Sequence, residues 1–146
     1  MIERELLESH LRLSYREDMG ILFMRWTKQV NSEQLRKGYL DALAFAEELN
    51  VHLWLIDLRG RGGATPEDEA WILDEFFLEA EGRLGHKSYI GYLLSPAHFT
   101  HVRDNVGLEK LNAFSSNTTI NVFTSESGAV NWLSNLHEVE VLPKRK

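Results

Sequence analysis

The chain contains no cysteine, which excludes disulfides, thiol catalysis and thiolate metal sites together. It has no apolar run near the ~20 residues that cross a bilayer. Its start, Met1–Ile2–Glu3–Arg4–Glu5, mixes acids into a short apolar stretch and shows no signal-peptide pattern. No membrane insertion and a cytoplasmic location are therefore expected. Positive charge is also short. The net charge of -6 disfavours nucleic acid as a partner, because phosphate neutralisation needs a basic face. The one basic cluster, Pro143–Lys144–Arg145–Lys146, reads as a solvated tail. Repeats, low-complexity tracts and linkers are absent too, so one domain over residues 1–146 is expected, with its core at roughly 10–136.

What remains is ordinary globular material, 43% hydrophobic and 26% charged, enough for a core without staples. Leu11–Arg12–Leu13–Ser14–Tyr15 alternates as a half-buried strand does. The turn Asp18–Met19–Gly20 and the run Ile21–Trp26 complete an antiparallel hairpin. Asn31 with Gln34 has capping-box spacing, and Leu35, Tyr39, Ala42, Ala46 and Leu49 form a helical stripe ended by Asn50. Val51–Asp57 is a nearly continuous apolar run, as in a strand buried on both faces. Thr65–Pro66–Glu67–Asp68 then opens a second helix with a cap, a first-turn proline and acids at its positive end. Lys87–Leu94 and Thr119–Phe123 read as strands, and Ser125 caps a last helix carrying Ala129, Trp132, Leu133 and Leu136 on one face. Residues 95–117 are open between an irregular helix and a long loop. The fold class is α/β: a single mixed β-sheet, an N-terminal antiparallel hairpin followed by β-α alternation, covered by about four helices.

Two local patterns carry a family resemblance. One is the strand Trp54–Leu55–Ile56–Asp57–Leu58. The other is Val122–Phe123–Thr124–Ser125–Glu126 leading into Ala129–Val130–Asn131–Trp132–Leu133. With the order of elements, they resemble STAS domains (sulfate-transporter and anti-sigma-factor-antagonist) and the overlapping STAS/CRAL-TRIO-like group of small bacterial proteins. The resemblance spans roughly residues 10–136. It implies a STAS-like fold and a non-catalytic regulatory or protein-interaction role; its CRAL-TRIO side implies a small-ligand binder. STAS antagonists carry an Asp-Ser-Ser-Gly type turn with a phosphorylated serine. Here that turn reads Gly62–Gly63–Ala64–Thr65–Pro66–Glu67–Asp68, with Thr65 as the lone hydroxyl followed by acids that repel phosphate.

Candidate sites are few. Arg59, Gly60, Arg61, Gly62 and Gly63, with Thr65, come after a strand's C-terminal end and lead into a helix N-terminus, where α/β sheets bind ligands. They suggest an anion site, against the alternative of a flexible polar loop. The spacing matches neither a P-loop nor a dinucleotide fingerprint, so no cofactor is expected. His98, His101 and Asp104 stand at i, i+3, i+6, a weak metal-ligand pattern. Asp57 with Asp68 or Asp74 offers a carboxylate pair, while Ser95 and Ser125 lack a nucleophile-elbow context; no catalytic residue is assigned. On the second helix Ile72, Leu73, Phe76, Phe77 and Ala80 form a broad apolar face. At ~100° per residue Trp71 and Leu78 fall opposite it, which suggests cover by residues 95–117 or by a second copy in a homodimer. The leading expectation is a homodimeric interaction domain. The alternative is a binder of an apolar or anionic molecule, held between the sheet and residues 95–117.

Overall fold

A computed structural model describes residues 1–137; the basic tail 143–146 lies outside the described residues. Six strands form one mixed sheet in chain order: β1 (Ile2–Leu6), β2 (Leu11–Arg16), β3 (Ile21–Trp26), β4 (Leu53–Asp57), β5 (Ser88–Leu93) and β6 (Thr118–Phe123). The first three pair antiparallel and the last three join in parallel. The strand β1 is an addition to the sequence reading. Its pattern, Ile2–Glu3–Arg4–Glu5–Leu6, is too charged to announce a strand, but charges suit a sheet edge because they discourage pairing with another chain.

Parallel strands need crossovers, and each crossover here is helical. The helix α1 (Ser32–Leu49) begins with the full capping box of Asn31 and Gln34 and ends at Asn50 in the left-handed region, φ 53°. After β4 comes one continuous rod: α2 (Pro66–Trp71), a π-helical turn (Ile72–Phe76) and α3 (Phe77–Leu84). Residues 95–117 resolve into α4 (Pro96–Asn105), capped by Ser95, and the short α5 (Leu108–Asn112). The last helix, α6 (Glu126–Leu136), is capped by Ser125 as expected. Splitting residues 95–117 in two gives five helical rods among the described residues, where about four helices were expected.

Strands laid down in chain order with right-handed crossovers step in one direction and leave their helices on one face. That face carries α1, the α2–α3 rod, α4 and α5 against Met24, Trp26, Trp54, Ile56, Ile90 and Ile120. The opposite face of the strands, with Ile21, Phe23, Leu53, Leu55, Tyr89 and Leu93, is covered by α6 through Ala129 and Leu133. Both β4 and β5 are buried at every position, which explains the nearly continuous apolar run of β4. No helix among the described residues is long and apolar enough to cross a membrane.

Candidate functional site

The loop after β4 is where the two faces of the sheet part. Leu58 accepts hydrogen bonds at its carbonyl from Arg61 N at 3.1 Å and Gly62 N at 2.7 Å, which folds residues 58–62 into a tight turn. Its glycines serve that turn. A Cβ on Gly60 would lie 2.5 Å from the Trp26 carbonyl oxygen, and Gly62 has φ +81°. The turn sends its two arginines to opposite sides of the sheet.

Arg59 goes to the side of α6. It donates to Asp57 from its backbone N, Nε and Nη2, all at 3.0 Å, and approaches Glu126 at 3.4 Å. Arg25, register partner of Asp57 on β3, donates to Asp57 at 3.0 Å and grips Glu126 with two bonds of 2.8 and 3.0 Å. Burial pushes the Asp57 carboxyl upward, but the bonds from Arg59 and Arg25 outweigh it and hold Asp57 below its ordinary value. Glu126 is held low chiefly by Arg25. Two cations face two carboxylates, so Arg59 is already neutralised and is not available to an anion.

Arg61 goes to the other side and is 6% exposed. Its guanidinium carbon lies 4.9 Å from the Trp26 ring centroid and 5.8 Å from that of Tyr39. Its Nε donates to the Gly62 carbonyl at 3.3 Å, and its Nη1 is buried with no hydrogen-bond partner. No carboxylate among the described residues forms an ion pair with it, whereas the neighbouring Arg59 and Arg25 are both paired. Stacking on aromatic faces offsets part of the desolvation of such a cation, not all of it.

Arg61 lines a cavity of about 70 Å³ between the sheet, α2 and the α4–α5 segment. Leu58, Leu73, Leu94, Val102, Val106 and Val122 supply apolar wall. The polar groups are few: Arg61, Glu69, His98 and the hydroxyls of Tyr39 and Tyr92, which are 3.0 Å apart. One phenol donates to the other, which leaves one O–H to donate elsewhere. Burial raises Tyr92 well above its ordinary value, so it stays a donor. His98 has a buried Nδ1 without a partner; burial, then Arg61 and His101, hold its imidazole below the usual value.

The other sequence candidates separate. Residues at i, i+3 and i+6 drift by ~60° per step, so three of them spread over a third of a helix circumference. His98 faces the cavity, exposed His101 meets Asn105 at 3.1 Å, and Asp104 pairs with Arg103 at 3.0 Å. Among the described residues no three His, Asp or Glu side chains converge on a metal position. The carboxylates Asp57, Asp68 and Asp74 do not converge either. Asp68 is buried under α1, accepting from Ser32 Oγ at 2.6 Å and Arg36 Nε at 3.3 Å, while Asp74 is exposed. Thr65 uses its hydroxyl to cap α2, accepting from Asp68 N at 3.2 Å.

The apolar side shared by Trp71 and Leu78 dissolves for a local reason. The π-helical turn between them, closed by Phe77 N to the Ile72 carbonyl, inserts one residue and rotates the rest of the rod by about 100°. Trp71 consequently packs on α1, 6.2 Å from Tyr39 and under Arg36 at 5.2 Å, while Leu78 is left alone and 68% exposed. Trp54 and Trp71 do not border the cavity: Trp54 lines only a void of about 10 Å³ with Phe76 and Phe77. Of the three aromatics around which a pocket was expected, Trp54, Trp71 and Tyr92, the cavity is lined by Tyr92 alone, with Tyr39 and Glu69 as lining residues not assigned to a site from the sequence. The available signal was a pair of tyrosines at core-facing positions, each with a hydroxyl that burial obliges to find a partner. No family model, no curated protein and no solved structure matches this chain.

Proposed function

We propose that this chain is a non-catalytic small-ligand-binding domain whose ligand is a short monocarboxylate seated on Arg61. One observation carries the reading: Arg61, a residue 6% exposed whose Nη1 is buried and unpartnered, on the wall of a cavity. Buried charges are otherwise paired or coordinated, and a carboxylate supplies two acceptors in the geometry that a guanidinium favours. Apolar walls argue for an alkyl body, because phosphate or sulfate would bring more acceptors than Arg61 and one phenol can satisfy. Glu69 on the lining adds repulsion against multiply charged anions. A cavity of about 70 Å³ is roughly half the ~150 Å³ that admits benzene, which sets the ligand near three to five heavy atoms.

Kinship with STAS-like domains is part of the same proposal, supported by the element order and by a central strand that ends in Asp57. Thermal-shift measurements with acetate through valerate, against the matching amides and against phosphate, test the binding. Carboxylates are expected to raise Tm where amides and phosphate do not. Equal shifts for propionate and propionamide would remove Arg61 as the ligand's anchor.

A further inference from the structure

We infer that the cavity takes up its carboxylate together with one proton, which settles on the imidazole of His98. This rests on the carboxylate-binding reading above and concerns its regulation. Arg61 and His98 share the lining of one cavity, and each keeps a buried nitrogen without a partner. A single carboxylate has two oxygens and can accept from both.

The charged and titratable groups around the cavity decide the direction. Arg61, from the loop after β4, and His101, on the same helix α4, act on His98 directly, and Glu69 from α2, Tyr39 from α1 and Tyr92 from β5 share the lining. Before an anion binds, burial and the Arg61 charge both favour the neutral ring. A carboxylate on Arg61 cancels the cation that repels the proton and offers an acceptor to the imidazolium. Both effects raise the affinity of His98 for its proton. The balance is simple: neutral His98, a carboxylate and one proton from solvent give an imidazolium hydrogen-bonded to the carboxylate, with no covalent bond to carbon formed or broken. Glu69 and the incoming carboxylate then stand against Arg61 and the His98 imidazolium, two charges of each sign. Gly63 leaves the ring room, since even a Cβ there would lie 3.6 Å from Nε2.

Binding therefore strengthens as pH falls, with a limiting slope of about tenfold in affinity per pH unit between the free and bound titrations of His98. The ligand's own carboxyl stays ionised from about pH 6 to 8, so it does not contribute. The test is isothermal titration calorimetry with propionate in two buffers of different ionisation heat across that range. A buffer-dependent enthalpy that reports proton uptake is expected in the wild type. His98→Gln is expected to lose it while still binding propionate at the alkaline end. Imidazole titration by NMR, with and without propionate, gives the same answer without a variant: the His98 resonance should titrate at higher pH in the complex. Propionate binding with no buffer dependence and no change in that titration overturns this inference alone. Absence of propionate binding at every pH overturns the carboxylate reading along with it.

Discussion

Replacing Arg61 with methionine should make the ligand-free protein more stable. Arg61 is 6% exposed, its Nη1 is buried without a partner, and it has no acidic partner among the described residues. Moving an unpaired cation into such surroundings costs several kcal/mol even after relaxation. Stacking over Trp26 and Tyr39 at 4.9 and 5.8 Å returns about 1–2 kcal/mol. The long 3.3 Å bond to the Gly62 carbonyl returns about 0.5–1 kcal/mol. Methionine keeps apolar contact with both rings and removes the charge. The net gain is about 1–2 kcal/mol, which for a domain of this size raises Tm by roughly 2–8 °C. Calorimetry and urea titration of wild type and Arg61→Met would show it. Saturating propionate should reverse the ranking, because ligand at a hundred times its Kd stabilises only the wild type, by about 2.7 kcal/mol. A lower urea midpoint for Arg61→Met without ligand would refute the reasoning, since it would make the guanidinium a structural element of the Trp26–Tyr39 stack.

The loop yields two further outcomes. Asp57→Asn should cost about 3 kcal/mol by leaving Arg25 and Arg59 short of negative charge. Asp57 and Glu126 both sit below their ordinary values, so the unfolded chain binds more protons in acid; the stability they supply is complete above the ordinary carboxylate range and disappears as pH falls through their folded values. Urea midpoints measured from neutral pH into acid should therefore fall less steeply in Asp57→Asn than in wild type. Gly60→Ala places a methyl 2.5 Å from the Trp26 carbonyl oxygen and should cost about 2 kcal/mol or more through backbone displacement. It should also abolish propionate-induced stabilisation, because Arg61 moves with the turn; full retention of that stabilisation would separate the loop from the site.

The elements that could be read from sequence were those whose signals are local. Asn31 with Gln34, Thr65 before Pro66, and Ser125 each name a helix start within four residues, and each start is found there. The strand β4 is apolar at nearly every position because both its faces are buried. The strand β1 escaped because Glu3, Arg4 and Glu5 mask its alternation. The π-helical turn escaped because a one-residue insertion leaves composition unchanged and alters only phase. At the site, the glycine-rich turn at a strand's end was legible, but the opposite destinations of Arg59 and Arg61 were not. Those destinations are fixed by Arg25 and Glu126 on one face and by Trp26 and Tyr39 on the other, all distant in the chain from the loop.

The placement of α6 has a consequence for biosynthesis. It is the one helix on its face of the sheet among the described residues, and it comes later in the chain than every strand it covers. The helices of the other face are interleaved with the strands, so that side can close as the chain emerges. Ile21, Phe23, Leu53, Leu55, Tyr89 and Leu93 have no such early cover. At roughly 5–20 residues per second, a nascent chain exposes this apolar surface for seconds before Ala129 and Leu133 arrive. During that interval the surface faces water, and a chain ending before Glu126 would lack the helix that covers it.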